Sequence, residues 1–397
     1  MKLSKRGLNI QASPIRKLYP LANQTEKKGR EVIKLNIGQP DIELPKIVRQ
    51  EIKNYKREVI CYAPSQGLPQ VIKAWQKYLI DSGLDFKNDE IVVTTGGSEA
   101  IIFAMAAIAD AGEEIIVFEP FYTNYNGFAS LIDVKLNPIT LKIEKGFHLP
   151  PREEIEKRIN KKTKGIIITN PNNPTGTVYT KEELNILALL AEKYDLFIIN
   201  DEVYREFVFG DSKFYSLFNF KNIKKNIILA DSVSKRFNAC GARLGCLASY
   251  NKKIIENVTK FAQARLSSPT IEQEIFIPLL KNSKEYINNL ILEYKKRRET
   301  VKEELKKIPN LTYRFPEGSF YIIIGLPVDN SEKFCQWLLT NFEYKNKTLL
   351  LAPACGFYAS PDQGKNEVRL AFVYQAKILK EAMQILKIAL KKYKNEK

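Results

Sequence analysis

Asp231-Ser232-Val233-Ser234-Lys235-Arg236-Phe237-Asn238-Ala239-Cys240-Gly241-Ala242-Arg243-Leu244-Gly245 follows directly on the apolar run Ile227-Ile228-Leu229-Ala230. The run reads as a buried strand and the residues after it as the turn at its end. Such a turn holds Lys235 rigidly inside a cleft, where a desolvated amine loses its proton more easily and condenses with a carbonyl. Ser232, Ser234 and Arg243 add hydroxyls and a fixed cation, the groups that gather around a phosphate. Taken alone, Lys235 is one of many solvated lysines in a basic chain, so matching parts are needed at the ends of other strands.

Further apolar runs stand at Ile91–Thr94, Ile115–Phe118, Val134–Leu136, Ile166–Thr169, Phe197–Asn200 and Leu244–Ala248. Helical periodicity separates them at 98–110, 122–131, 151–160, 180–193 and 252–264. Strands buried on both faces and alternating with helices predict an α/β domain over residues 46–285, built on a mostly parallel seven-stranded sheet. Ligands of such sheets sit beyond the carboxyl ends of the strands. After 286 the rhythm changes: a charged helix to Lys307, short strands at Leu311–Arg314, Ser319–Ile324, Thr348–Leu351 and Val368–Phe372, and a last helix over Lys377–Lys392. That predicts a smaller α+β domain over 286–397, joined by an N-terminal arm (1–45) with a short strand at Val32–Asn36.

Composition excludes several classes of chemistry. At 397 residues two domains are expected, and 44% hydrophobic content gives them cores. The net charge of +17 raises nucleic acid as a partner, but the lysines are interleaved with acids along helices and read as a solvated surface. Five cysteines without a Cys-x-x-Cys pair read as reduced thiols, with no disulfide frame and no metal site. His148 is the only histidine, which excludes imidazole-rich zinc centres; in its loop it has no evident task. Acid–base work therefore falls to lysine, tyrosine or a carboxylate. No run reaches the roughly 18 apolar residues of a membrane span, and the start leads into no signal core, which predicts a cytoplasmic protein.

The strand ends carry the remaining parts. Thr94-Thr95-Gly96-Gly97-Ser98-Glu99-Ala100 opens a helix with amides free for an anion. Glu119-Pro120-Phe121-Tyr122 places an aromatic at a helix start, and Asn170-Pro171-Asn172-Asn173-Pro174-Thr175-Gly176 is richer in turn formers than a connection needs. Asn200-Asp201-Glu202-Val203-Tyr204 sets a carboxylate at a strand end with a phenol three residues on.

In these motifs and their order, from about Gly38 to Arg369, the chain resembles the class I/II aminotransferases of pyridoxal phosphate fold type I, in their aspartate aminotransferase-like branch. The resemblance implies pyridoxal 5′-phosphate as cofactor and Lys235 as its Schiff-base lysine, acting in turn as general base and acid. It implies Asp201 beside the pyridinium nitrogen, Tyr204 and Asn173 at the ring's O3′ oxygen, and Tyr122 stacked on the ring. Gly97, Ser98, Glu99, Ser232, Ser234 and Arg243 fall to cofactor and phosphate binding. Tyr62, in Cys61-Tyr62-Ala63-Pro64-Ser65, is implied to reach the phosphate of a neighbouring subunit, hence a homodimer with shared sites. Arg369 is implied to grip the substrate α-carboxylate, with Gly38 and Asn173 completing the grip.

Two other readings stand beside amino transfer: a β-lyase or other Cα-carbanion chemistry on the same cofactor, and, more distantly, a non-catalytic basic protein that binds nucleic acid or has a regulatory role. The partners of the favoured reading are an amino acid, aspartate or a similar one, and a 2-oxo acid. An acidic side chain would need a second cation, for which Arg16 and Arg265 are candidates by composition.

Overall fold

The computed structural model describes residues 1–396. Strand β1 (Glu31–Lys34) lies in the N-terminal arm. Strands β2 (Ile91–Thr94), β3 (Glu114–Glu119), β4 (Lys135–Thr140), β5 (Thr163–Thr169), β6 (Phe197–Asp201), β7 (Ile227–Ser232) and β8 (Gly245–Ala248) form one seven-stranded sheet in the order β2-β8-β7-β6-β5-β3-β4. Neighbours from β7 through β4 are parallel, whereas β8 is antiparallel to both β7 and β2. The continuous apolar runs follow from this architecture, since helices cover both faces. Ile166, Ile168, Ile198 and Leu229 enter one core, and the intervening Ile167, Ile199 and Ile228 enter the core on the opposite face. Each such side chain, removed from water, stabilises the fold by about 1.5–3 kcal/mol before entropy is charged.

Beyond the long helix Lys284–Leu305 the chain adds β9 (Tyr321–Gly325), β10 (Lys347–Leu350), β11 (Ala352–Pro353) and β12 (Glu367–Ala371). β12 lies between β11 and β9, antiparallel to both, while β1 pairs in parallel with β10. A separate core gathers Leu18, Ala22, Val32, Ile33 and Leu35 of the arm with residues from Leu290 onward.

Two expected elements differ. Leu311–Arg314 is not a strand: only Thr312 bridges Gly325, because Pro316 follows at once and the chain leaves the β9 edge. The expected helix 151–160 is confined to Arg152–Glu156. His148 has a structural partner after all. Its Nδ1 lies 3.0 Å from a Glu183 oxygen. Glu183 also receives the Thr180 amide in the capping box that starts helix Lys181–Tyr194. That hydrogen bond raises the imidazole pKa.

Candidate active site

Strands β2, β3, β5, β6 and β7 run in one direction, so their carboxyl ends share an edge of the sheet. Because β8 runs the other way, its amino end lies on the same edge and brings Arg243 and Gly245 back beside Lys235. Ser232 caps the short helix Val233–Arg236: its Oγ accepts the Ser234 amide at 3.1 Å, pairs with the Ser234 hydroxyl at 2.7 Å and donates to the Leu244 carbonyl at 3.0 Å.

The Lys235 ammonium donates to the Gly38 carbonyl at 3.0 Å, and its Nζ is 3.7 Å from the Cys240 sulfur. Its expected ease of deprotonation is not met in the free protein. Burial is the largest influence and lowers the pKa, but the neighbouring Tyr321, Cys240 and Tyr122 together raise it above the usual lysine value.

Asp201, at the end of β6, is buried. Its Oδ2 accepts the Tyr125 hydroxyl at 2.7 Å and its Oδ1 the Val203 amide at 3.3 Å. Burial pushes the carboxyl pKa up to about 6, against the lowering effect of those two donors, and Asp231 and Glu202 add to the rise. The Tyr204 hydroxyl meets that of Tyr321 at 3.0 Å. Arg369, on β12, is 1% exposed; it donates to Asn173 Oδ1 at 3.0 Å and to the Asn36 carbonyl at 2.5 Å, and its Nε has no hydrogen-bond partner among the described residues. The guanidinium lies 4.3 Å from the centre of the Tyr321 ring and 4.8 Å from that of Phe357.

Gly97, Ser98 and Glu99 stand in the first turn of helix Gly96–Ile108, whose N-cap residue Thr95 makes no side-chain cap. Its leading amides are therefore available to an anion. Glu99 instead turns back to accept the Thr95 amide at 2.8 Å and lies 3.5 Å from Arg265. Arg243 donates to the Cys240 carbonyl at 2.9 Å and to that of Thr95 at 3.4 Å, across the face of Gly96. Tyr122 packs edge-on against Tyr125, and burial raises its pKa while the Lys235 ammonium opposes the rise. Tyr62 is the exception: it is 79% exposed and makes no part of this cluster within one chain.

Arg16 is exposed, and Arg265 is held by the carbonyls of Ser65 and Val93 beside Glu99.

Sequence reading missed Tyr125, Tyr321 and the charges beneath the site. Arg236 pairs with Asp231 at 2.7 Å and with Glu206 at 3.0 Å, and Arg205 pairs with Glu202 at 2.6 Å. Tyr78 donates to Glu206. Glu202, Arg205 and Glu206 share one short segment with Asp201 and Tyr204, but nothing in that spacing marks them as buried.

The chain belongs to the class I and II aminotransferases, whose family model matches residues 30–346. It is 31% identical over 403 residues to a probable aspartate/prephenate aminotransferase of Aquifex aeolicus, covering 98% of each chain. Among solved structures, the aspartate aminotransferase of Thermotoga maritima superposes with a TM-score of 0.89 at 30% identity, covering 98% of this chain and 100% of that one. An alanine aminotransferase of Pyrococcus furiosus matches with a TM-score of 0.89 at 29% identity and the same coverage. The protein is thus a transferase acting on small amino and oxo acids, with the α/β fold of this family. Among the described residues no helix is long and apolar enough to cross a membrane.

Proposed function

We propose that the protein moves the amino group of aspartate, or of a similar L-amino acid, to a 2-oxo acid such as 2-oxoglutarate, with pyridoxal 5′-phosphate held at Lys235. The observation that carries this reading is the presence in one site of a half-buried amine, Lys235, and a buried guanidinium, Arg369, whose Nε has no partner among the described residues. A buried donor of that kind costs stability unless a ligand anion satisfies it.

The residues present fit the cofactor. Ser232, Ser234, Arg243 and the amides of Gly97 and Ser98 form a donor set for a phosphate. Burial pushes the Asp201 pKa up to about 6, and a cationic ring nitrogen beside it would favour the ionised form. Tyr204 and Asn173 would hold the ring's O3′ oxygen, Tyr122 would cover the ring, and Glu99 would keep the helix start in shape. Pyridoxal phosphate supplies an aldehyde that exchanges amines and a ring that accepts electrons from Cα.

The chain's own residues do the rest. Arg369, with Asn173 and Gly38, grips the α-carboxylate, and Lys235 takes the proton from Cα and returns it at C4′. The aspartate assignment draws on the relatives named aspartate aminotransferases; the alanine enzyme among the neighbours makes the donor the variable to measure.

A second copy of the chain would complete the site through Tyr62. Val59, Ile60 and Leu266 are large apolar side chains left exposed, two of them beside Tyr62 in sequence, and they support a homodimer. A panel of amino donors against 2-oxoglutarate and oxaloacetate, with Lys235→Ala as control, tests the whole reading. Transfer by wild type and none by the variant is expected. Pyruvate released without any acceptor, or transfer retained by Lys235→Ala, would overturn it.

A further inference from the structure

We infer that Tyr321 is a positioning residue that couples the two halves of the site, orienting Tyr204 through its hydroxyl and Arg369 through its ring. The inference rests on the roles proposed above for Tyr204, Arg369 and Lys235. Tyr321 opens β9, the strand paired with β12, where its register partner is Ala371, two residues from Arg369. Residues two apart on a strand share a face, so Tyr321 and Arg369 sit diagonally on neighbouring strands. The guanidinium carbon lies 4.3 Å from the ring centre, within cation–π range, and 4.8 Å from the centre of the Phe357 ring. Contact with the Tyr321 ring favours one attitude of the flat fork and so helps to aim its Nε.

The hydroxyl end does separate work. It meets the Tyr204 hydroxyl at 3.0 Å, and both groups are buried. It also abuts Gly38 so closely that a Cβ there would lie 1.7 Å from it. Gly38 is the residue whose carbonyl holds the Lys235 ammonium. One phenol thus touches the proposed ring-oxygen donor, the residue that parks the amine and the carboxylate grip. It reaches across from the C-terminal sheet to do so. Tyr321 is the largest influence holding the Lys235 amine in its charged form, which agrees with that placement. A tyrosine serving only as core filler would need none of these polar contacts.

Two variants separate the two ends. Tyr321→Phe keeps the ring and removes the hydroxyl; Tyr321→Leu keeps much of the apolar volume and removes the π face as well. In the cofactor-loaded enzyme, Tyr321→Phe should lower kcat about 5- to 10-fold, the worth of one buried hydrogen bond, with KM for the amino donor nearly unchanged. It should also lower the pH at which the Lys235-dependent absorbance of the cofactor titrates. Tyr321→Leu should add a rise in KM of about 3- to 30-fold, the range of a cation–π contact. A wild-type protein with a normal Lys235-dependent band, in which both variants leave the titration and the kcat-to-KM split untouched, overturns the inference alone. Absence of any Lys235-dependent band in wild type overturns the proposed site roles, and the inference with them.

Discussion

Asp201→Asn should make the cofactor-free protein more stable at pH 8 while abolishing efficient transfer. The carboxyl pKa is pushed from 3.8 to about 6 by burial. A folded-state pKa above the unfolded one means that the folded protein binds the proton more tightly. The associated stability is present below about pH 4 and is lost as pH rises through about 6. A shift of about two units costs the ionised fold about 3 kcal/mol at pH 8. Asparagine removes that cost. It keeps an acceptor for the Tyr125 hydroxyl but turns an amide donor toward the Val203 N–H, a loss of about 1 kcal/mol. The net expectation is a gain of about 2 kcal/mol at pH 8, and near pH 4 a loss of about 1 kcal/mol. Urea unfolding of the cofactor-free wild type and variant at the two pH values measures both numbers. A variant less stable than wild type at pH 8, or a difference that does not change with pH, would refute the burial argument.

Two further outcomes follow from the geometry. Arg236→Met leaves Asp231 and Glu206 without their shared cation and should lower stability by about 3–5 kcal/mol, read as a drop in thermal midpoint. Gly96 has φ +75°, and a Cβ there would lie 2.6 Å from an Arg243 nitrogen. Gly96→Ala should therefore displace the flexible arginine and weaken cofactor affinity about tenfold or more in an absorbance titration, through loss of a charge-assisted contact.

The parallel sheet was legible because strands buried on both faces must be apolar at every position, and Ile166-Ile167-Ile168 or Ile227-Ile228-Leu229 admit little else. Lys235, Asp201 and Asn173 were legible because each stands in a short motif at or just beyond a strand end, and Arg369 because an arginine in the middle of an apolar strand is itself unusual. Tyr321 was not, since a tyrosine at the start of an apolar strand looks like core, and only the β9–β12 register shows what lies under its ring. The charged cluster of Arg236, Asp231, Glu206 and Arg205 was hidden for the opposite reason. In a chain of net charge +17, adjacent charges read as solvent-facing until burial is known. The lysine's pKa was misjudged because Tyr321 and Tyr122, which raise it together with the nearby Cys240, come from other parts of the chain, where no local pattern reveals them.

The contacts of the site differ greatly in how much chain they span. Ser232 reaches Leu244 across 12 residues and Arg243 reaches Cys240 across 3, whereas Arg369 reaches Asn173 across 196 and Asn36 across 333. Of the donors proposed for the phosphate, Ser232, Ser234 and Arg243 come from one short stretch, while Gly97, Ser98 and the Thr95 carbonyl that holds Arg243 come from a helix start 148 residues away; the partners of Arg369 come from still farther off. Loss of the last strands would therefore leave Ser232 its contacts with Ser234 and Leu244 and remove Arg369 itself, so the two ends of the proposed site depend on the C-terminal region to very different degrees.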